Sequence, residues 1–209
     1  MINRGEKKLI ILPAKTGTTS ITTPHYALTN RWHMKNATQH ATLLERTKQY
    51  QISDINDWTI YQTARHPIDR FHSAIRHVKR RFTFEVDHKF LDVLEKYIDD
   101  IKQKRYEFRA YVKPFLRLKG SDDEESERIT RALVDFFMRQ SQYCDINNIK
   151  PIYLKLENIE ERAEVLGIKP NQLYHINKAT TPKESLSQDM ISRLYDIYKQ
   201  DFLTIGYKI

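Results

Sequence analysis

A short aliphatic run that ends in a turn containing lysine and glycine constrains this chain most. Residues 9–12 (Leu-Ile-Ile-Leu) are aliphatic throughout, which predicts a strand buried on both faces of a sheet. Pro13 follows, and Lys-Thr-Gly-Thr-Thr-Ser occupies residues 15–20. Gly17 lets the backbone approach an anion closely, and Lys15 adds a positive charge beside hydroxyl and N–H donors. The stretch therefore predicts a strand, a phosphate-binding loop and the start of a helix.

A simpler interpretation of the same loop stays open. Residues 15–20 can form a polar strand-to-helix turn with a good N-cap and no ligand. The Walker pattern GxxxxGK[ST] is also absent, because Lys15 precedes Gly17 and no lysine follows that glycine. An ATPase interpretation therefore lacks its usual motif.

Length and charge limit the architecture and the partners. A chain of 209 residues, 40% of them hydrophobic, can bury one substantial core, so we expect a single domain spanning residues 1–209. Its 35 Lys and Arg residues exceed 27 Asp and Glu residues by eight. This excess favours anionic partners such as nucleotides, sulfated or acidic glycans, nucleic acid or an acidic membrane surface.

Other features argue against disulfides, metal sites and membrane spans. Cys144 is the one cysteine, so no internal disulfide can form, and we interpret it as a small core residue. The acidic run at 120–127 lacks ligand spacing and is interpreted as a solvated loop. No apolar run approaches the length of a membrane span, and residues 1–8 lack the apolar region of a secretory signal. We expect a cytoplasmic protein without a metal site.

Strand and helix patterns alternate along the chain. Further strands are predicted at 58–64 and 151–156, and Pro67 starts a helix whose apolar spacing continues to Phe82. Residues 105–118 are ambiguous. The other predicted helices lie at 18–28, 37–48 with Asn36 as its cap and His40 inside it, 86–101, 129–138, 157–167 and 185–202. Strands separated by helices predict an α/β fold with a central, mainly parallel sheet flanked by helices.

A second anion site is predicted after the second strand. Ligands of parallel sheets collect beyond the carboxyl ends of the strands, so Arg65 is expected near Lys15 and the rest of the first loop. The planar guanidinium of Arg65 suits a phosphate, and the hydroxyl of Ser73 on the following helix can join it. Two phosphate sites predict a nucleoside ligand with phosphates at both ends.

These motifs resemble those of the sulfotransferases that use 3′-phosphoadenosine 5′-phosphosulfate (PAPS). Residues 15–20 look like their 5′-phosphosulfate loop and residues 65–74 (RHPIDRFHSA) like their 3′-phosphate motif. Gln140-Ser141, residues 155–159 (KLENI) and residues 198–207 add matches, the last two especially to the carbohydrate (Golgi-type) branch and its soluble bacterial or viral relatives. In that branch proline directly precedes the loop lysine, whereas Ala14 intervenes here. The resemblance implies a P-loop-like, three-layer fold.

The resemblance also implies roles for individual residues. Lys15 would contact the 5′-phosphate and the bridging oxygen, and Arg65 and Ser73 would bind the 3′-phosphate. The remaining donor-binding residues implied are Thr16, Gly17, Thr18, Thr19 and Ser20 in the loop, and Lys178 and Thr180 in a segment that resembles a closing loop. No metal is obligatory, and the product would be adenosine 3′,5′-bisphosphate.

The acceptor hydroxyl, expected on a carbohydrate, needs a general base. His40 is the candidate, because an imidazole with an ordinary pKa of about 6.5 suits proton abstraction near neutrality and relatives place a histidine or a carboxylate between the two phosphate motifs. His33, His25 and Glu45 are rival candidates, and His40 can also be an ordinary helix residue.

Two other functional classes compete with the sulfotransferase. A nucleotide or small-molecule kinase would share the loop but needs Mg²⁺ and a better Walker motif. A basic nucleic-acid-binding module would explain the positive charge and clusters such as Lys79-Arg80-Arg81, yet it leaves the paired phosphate motifs unexplained.

Overall fold

The structure is a computed structural model that describes residues 1–17, 40–80, 82–118, 124–146, 149–167, 169 and 185–208. The strands are β1 (Ile2–Asn3), β2 (Lys8–Ile11), β3 (Thr59–Ala64), β4 (Phe82–Phe84), β5 (Leu116–Leu118) and β6 (Ile152–Lys155). The helices are α1 (Leu43–Tyr50), α2 (Pro67–Val78), α3 (His88–Tyr97), α4 (Arg105–Val112), α5 (Glu124–Arg131), α6 (Leu133–Phe137), α7 (Ile159–Leu166), α8 (Gln188–Ile197) and α9 (Lys199–Ile205).

These elements divide into two compact units. The first comprises Met1–His66 and Gln140–Ala179, and the second comprises Pro67–Arg139 and Thr180–Ile209. The expectation of one domain across residues 1–209 stays a prediction. Within the described residues, no helix combines the length and the apolar character needed to cross a membrane.

The first unit contains a four-stranded sheet in the order β1-β2-β3-β6. The short strand β1 is antiparallel to β2, whereas β2, β3 and β6 are parallel. Ile10 pairs with Tyr61, and Thr63 pairs with Leu154. The predicted α/β fold with a mainly parallel sheet flanked by helices is thereby confirmed, and the three predicted strands correspond to β2, β3 and β6.

The aliphatic run of β2 is buried on both faces, as its composition predicts. Leu9, Ile10 and Ile11 have no exposed surface. Ile10 packs with Leu12 and with two residues of α7, Ala163 and Leu166. α7 thus packs on one face of the strand, and Leu9 and Ile11, which point to the other face, are fully buried as well. Burial of both faces explains why the sequence does not alternate with polar residues.

The predicted helix at 37–48 is wrong in its start. The described residues before α1 are not helical, so His40 lies before the helix and not inside it. Thr42 is the N-cap: its hydroxyl accepts from the Glu45 N–H, and the Glu45 carboxylate accepts from the Thr42 N–H at 2.7 Å. This capping box fixes the helix start at Leu43. The predicted cap Asn36 and the predicted helix at 18–28 lie outside the described residues.

In the second unit, the helix predicted through Phe82 is also wrong at its end. α2 ends at Val78, and Phe82 begins β4, which pairs antiparallel with β5. The apolar side chain at position 82 fits the helical period, but it is buried from a hairpin strand instead. The ambiguous residues 105–118 form α4, a 3₁₀ turn and β5.

Aromatic side chains form the core of the second unit. The Phe90 ring lies 5.0 Å from that of Phe84 and 5.3 Å from that of Phe137, measured between centroids. Tyr198 donates its hydroxyl to the Phe137 carbonyl oxygen at 2.8 Å and stands where α8 ends and α9 begins. The predicted helix at 185–202 is therefore two helices.

Cys144, in the first unit, behaves as a core residue. It is buried, and this burial raises the pKa of its thiol because the charged thiolate is poorly solvated there. The thiol is therefore neutral near pH 7, as its interpretation as a small core residue requires.

The capping box gives a stability prediction. Thr42→Ala removes the side-chain acceptor, so the free energy of unfolding should fall by about 1 kcal/mol. Thr42→Ser keeps the hydroxyl and should remain within a few tenths of a kcal/mol of the wild type. Urea denaturation followed by circular dichroism measures both, and equal stability of the two variants would contradict the assigned cap.

Candidate anion-binding site at the carboxyl edge of the sheet

The loop after β2 is held to the end of β3 by two buried hydroxyls. Thr16 is fully buried, and its hydroxyl donates to the Pro13 carbonyl oxygen at 2.7 Å. Since that proton is committed, the Thr63 hydroxyl is the donor in the 2.6 Å contact between the two threonine oxygens. The side chain of Thr16 thus shapes the loop and fastens it to the neighbouring strand.

The loop backbone takes left-handed conformations on both sides of Thr16. Lys15 has φ 68° and Gly17 has φ 80°. A side chain in this region costs about 1 kcal/mol, so the lysine occupies an unfavourable position where glycine would be comfortable. A Cβ atom at Gly17 would also lie 2.7 Å from Leu156 Cδ1, which explains glycine there. Strain at a charged loop residue is typical of functional sites.

The backbone at Arg65 is clamped by a side-chain amide. Gln140 is fully buried; its Oε1 accepts from the Arg65 N–H at 2.9 Å and its Nε2 donates to the Arg65 carbonyl oxygen at 2.8 Å. The next residue, His66, donates its N–H to the Glu157 carboxylate at 3.1 Å. These bonds fix the main chain at the half-buried Arg65, directly after β3. The Arg65 side chain is therefore attached to a rigid backbone.

A buried arginine of α7 joins the ends of all three parallel strands. Arg162 is 1% exposed. Its guanidinium donates to carbonyl oxygens of β6, of the end of β3 and of the loop after β2: Lys155 at 2.9 Å and Leu154 at 2.7 Å, Ala64 at 2.9 Å, and Thr16 at 3.1 Å. Leu156 adds a direct bond from its N–H to the Ala64 carbonyl at 2.7 Å. The three strand ends therefore form one connected edge.

His40 lies beside this edge. Its Nδ1 is 2.9 Å from the Leu12 carbonyl oxygen, directly after β2. A carbonyl oxygen only accepts, so this hydrogen bond requires the proton on Nδ1, and in the neutral ring Nε2 carries the lone pair. His40 is half-buried. A histidine anchored in this way has the tautomer and the restricted orientation of a general base.

The predicted site residues fall into three groups. Lys15, Thr16, Gly17, Arg65 and His40 all belong to the sheet edge of the first unit. Ser73 belongs to the second unit, on α2, where it is half-buried. The remaining predictions lie outside the described residues: Thr18, Thr19, Ser20, Lys178 and Thr180, together with the rival bases His25 and His33. The third rival base, Glu45, caps α1.

Two contributors to the edge, Gln140 and Arg162, were not predicted as site residues from the sequence. Gln140 belongs to a matched dipeptide, but nothing local indicates that its amide pairs with a backbone 75 residues away. Arg162 did leave a signal in the sequence, because its position fits the helical spacing of the apolar residues at 159, 163 and 166. A charged residue in an apolar stripe indicates a buried, hydrogen-bonded charge.

The chemistry of the edge suits an anion. Lys15 and Arg65 supply positive charge, and the loop supplies backbone N–H groups. Among the residues described, no three His, Cys, Asp or Glu side chains gather into a metal-binding group. The arrangement can bind phosphate or sulfate groups and can accept a proton at His40.

The left-handed conformation of Lys15 gives a second prediction. Lys15→Gly and Lys15→Ala both remove the charge, but only the glycine variant removes the Cβ atom that makes φ 68° unfavourable. Lys15→Gly should therefore be more stable than Lys15→Ala by about 1 kcal/mol in urea denaturation. The opposite rank order would show that the loop relaxes and that the site stores no strain at this residue.

The chain matches no protein-family model, no curated protein and no solved structure.

Proposed function

We propose that this protein transfers a sulfuryl group from PAPS to a hydroxyl acceptor of the carbohydrate class. One observation carries the proposal: the lysine-glycine loop and the Arg65 segment, which resemble the two phosphate motifs of sulfotransferases, end at one sheet edge and are joined through the 2.6 Å contact between Thr16 and Thr63. A donor with phosphates at both ends of a nucleoside would use both cationic segments, and parallel sheets bind their ligands at this edge. We also propose the P-loop-like, three-layer arrangement that the resemblance implies.

The residues of the edge fit such a donor. Lys15 and the loop N–H groups would bind the 5′-phosphosulfate, and Arg65 would bind the 3′-phosphate through its planar fork. Thr16 contributes through its backbone, because its hydroxyl is used inside the protein. The roles of Thr18, Thr19, Ser20, Ser73, Lys178 and Thr180 stay sequence predictions.

The donor supplies a sulfuryl group attached through a bridging oxygen to a phosphate. His40 takes the acceptor proton at Nε2 while the acceptor oxygen bonds to sulfur. Lys15 offsets the negative charge that remains on the bridging oxygen when its bond to sulfur breaks. The other side chains position the two reactants in line, so catalysis depends on orientation and charge stabilisation.

Binding of adenosine 3′,5′-bisphosphate tests the donor site. Calorimetry without Mg²⁺ should show binding by the wild type, and Arg65→Ala should weaken it roughly tenfold to a hundredfold, because a charge-assisted hydrogen bond is removed. Arg117→Ala is the matched control, since it removes an exposed arginine of β5 and should bind normally. Absence of bisphosphate binding together with tight ATP–Mg²⁺ binding would favour a kinase and refute the proposal.

The pH dependence of transfer tests His40. With an acceptor found by screening glycans and simple alcohols against labelled donor, kcat should rise as pH increases through the imidazole pKa, because only the neutral ring accepts a proton. His40→Asn keeps an N–H that can reach the Leu12 carbonyl, but it lacks the base. It should lose transfer by roughly 10²- to 10⁴-fold, lose this pH dependence and retain bisphosphate affinity. Near-normal turnover would instead point to His25, His33 or a carboxylate as the base.

A further inference from the structure

Arg162 is in a position to control the direction of one peptide group in the anion loop. Its Nη1 donates to the Thr16 carbonyl oxygen at 3.1 Å. A Cβ atom placed on Gly17 would lie 3.2 Å from the same Nη1, so the guanidinium lies directly against the Thr16–Gly17 peptide. This peptide is trans, like the others in the described chain. In a planar trans peptide the C=O and the N–H point in opposite directions.

The direction of the Gly17 N–H follows from this geometry. Because the Thr16 carbonyl points toward Arg162, the Gly17 N–H points away from the buried guanidinium. Among the described residues, this N–H donates to no backbone carbonyl oxygen. A backbone N–H presented in this way beside Lys15 is a donor suited to an anion.

The fork of an arginine is needed for this arrangement. Nε, Nη1 and Nη2 donate in fixed, coplanar directions, and here they reach carbonyl oxygens of Thr16, Ala64 and the end of β6 simultaneously. The Thr16 carbonyl is thereby linked, through one guanidinium, to the ends of β3 and β6. A lysine would keep the positive charge, but its single nitrogen cannot hold acceptors spread over three strand ends.

We infer that Arg162 is a positioning residue, which holds the Thr16 carbonyl inward so that the Gly17 N–H is presented to a sulfuryl or phosphoryl oxygen of the ligand. The inference rests on the proposed function for the identity of the donor, but the orientation of the peptide and its affinity for a simple anion are independent of it. Arg162 itself contacts the backbone and is not proposed to touch the reacting atoms.

Nuclear magnetic resonance of the full chain tests the inference, with inorganic sulfate as the probe. In the wild type, sulfate should move the Gly17 amide proton resonance. In Arg162→Lys, the Thr16 carbonyl carbon resonance should shift in the ligand-free protein, and the sulfate affinity read at Gly17 should fall about tenfold, which corresponds to one aimed hydrogen bond. An unchanged Thr16 resonance with unchanged sulfate affinity would overturn the inference.

Arg46→Lys is the matched control for general destabilisation. Arg46 is also a fully buried arginine of the first unit, but it donates to Gln49 within α1. The Arg46→Lys variant should lower the thermal midpoint without changing the shift of the Gly17 amide resonance on sulfate addition. An equal loss of sulfate affinity in both variants would show that Arg162 acts only through stability. If Arg162→Lys fails to fold, Arg162→Gln replaces it in the same measurements. Independently of any variant, the inference is overturned if sulfate does not move the Gly17 amide resonance of the wild type.

Failure of the inference and failure of the proposed function give different results. A Gly17 response to sulfate that depends on Arg162, in a protein that does not bind adenosine 3′,5′-bisphosphate, supports the positioning role and refutes the sulfotransferase. Bisphosphate binding that is unaffected by Arg162→Lys supports the donor site and refutes the positioning role.

Discussion

The parallel pairing of β3 with strands on both sides is the constraint on which the candidate site depends. β2 and β6 run in the same direction as β3, so all three end at one edge. Residues far apart in the chain thereby meet: the Thr16 and Thr63 hydroxyls are in contact across 47 residues of sequence, and Leu156 donates to Ala64. A shift of one residue in either pairing would reverse the side chains of β3 and separate these contacts.

A buried polar layer underlies this edge and makes its register specific. Thr16, Thr63, Gln140 and Arg162 are all at least 99% buried, although each carries polar groups that lose hydration. Their hydrogen bonds to the backbone and to each other offset that cost only in the observed register. An apolar layer would tolerate small displacements, whereas this one penalises them.

The sequence indicated the strands and the charged candidate residues, but it gave only one sign, the arginine at position 162, of the hydrogen bonds that hold them. The aliphatic run at 9–12 predicted β2, the stretches at 58–64 and 151–156 predicted β3 and β6, and the carboxyl ends of the first two strands indicated Lys15 and Arg65. The start of the helix predicted at 37–48 and the end of the helix predicted through Phe82 were wrong, because apolar spacing alone does not show a capping box or a hairpin partner more than 30 residues away. The hydrogen bonds between the Gln140 amide and the Arg65 backbone could not be predicted from the sequence either, since they join residues far apart in the chain and leave no local pattern.

The hydrogen bonds that hold the site are made by different atoms from those proposed to bind a ligand. Gln140 holds the N–H and C=O of Arg65, Arg162 holds the C=O of Thr16, and His40 is fixed through Nδ1 to the carbonyl of Leu12. These contacts use main-chain atoms and Nδ1 of the imidazole, so the bonds that hold the site are made by different atoms from the Arg65 guanidinium, the Gly17 N–H and the His40 Nε2. Group transfer between oxygens gains most of its rate from donors that are already oriented. A rigid backbone under chemically separate functional groups is therefore the property that would suit this edge to the proposed transfer reaction.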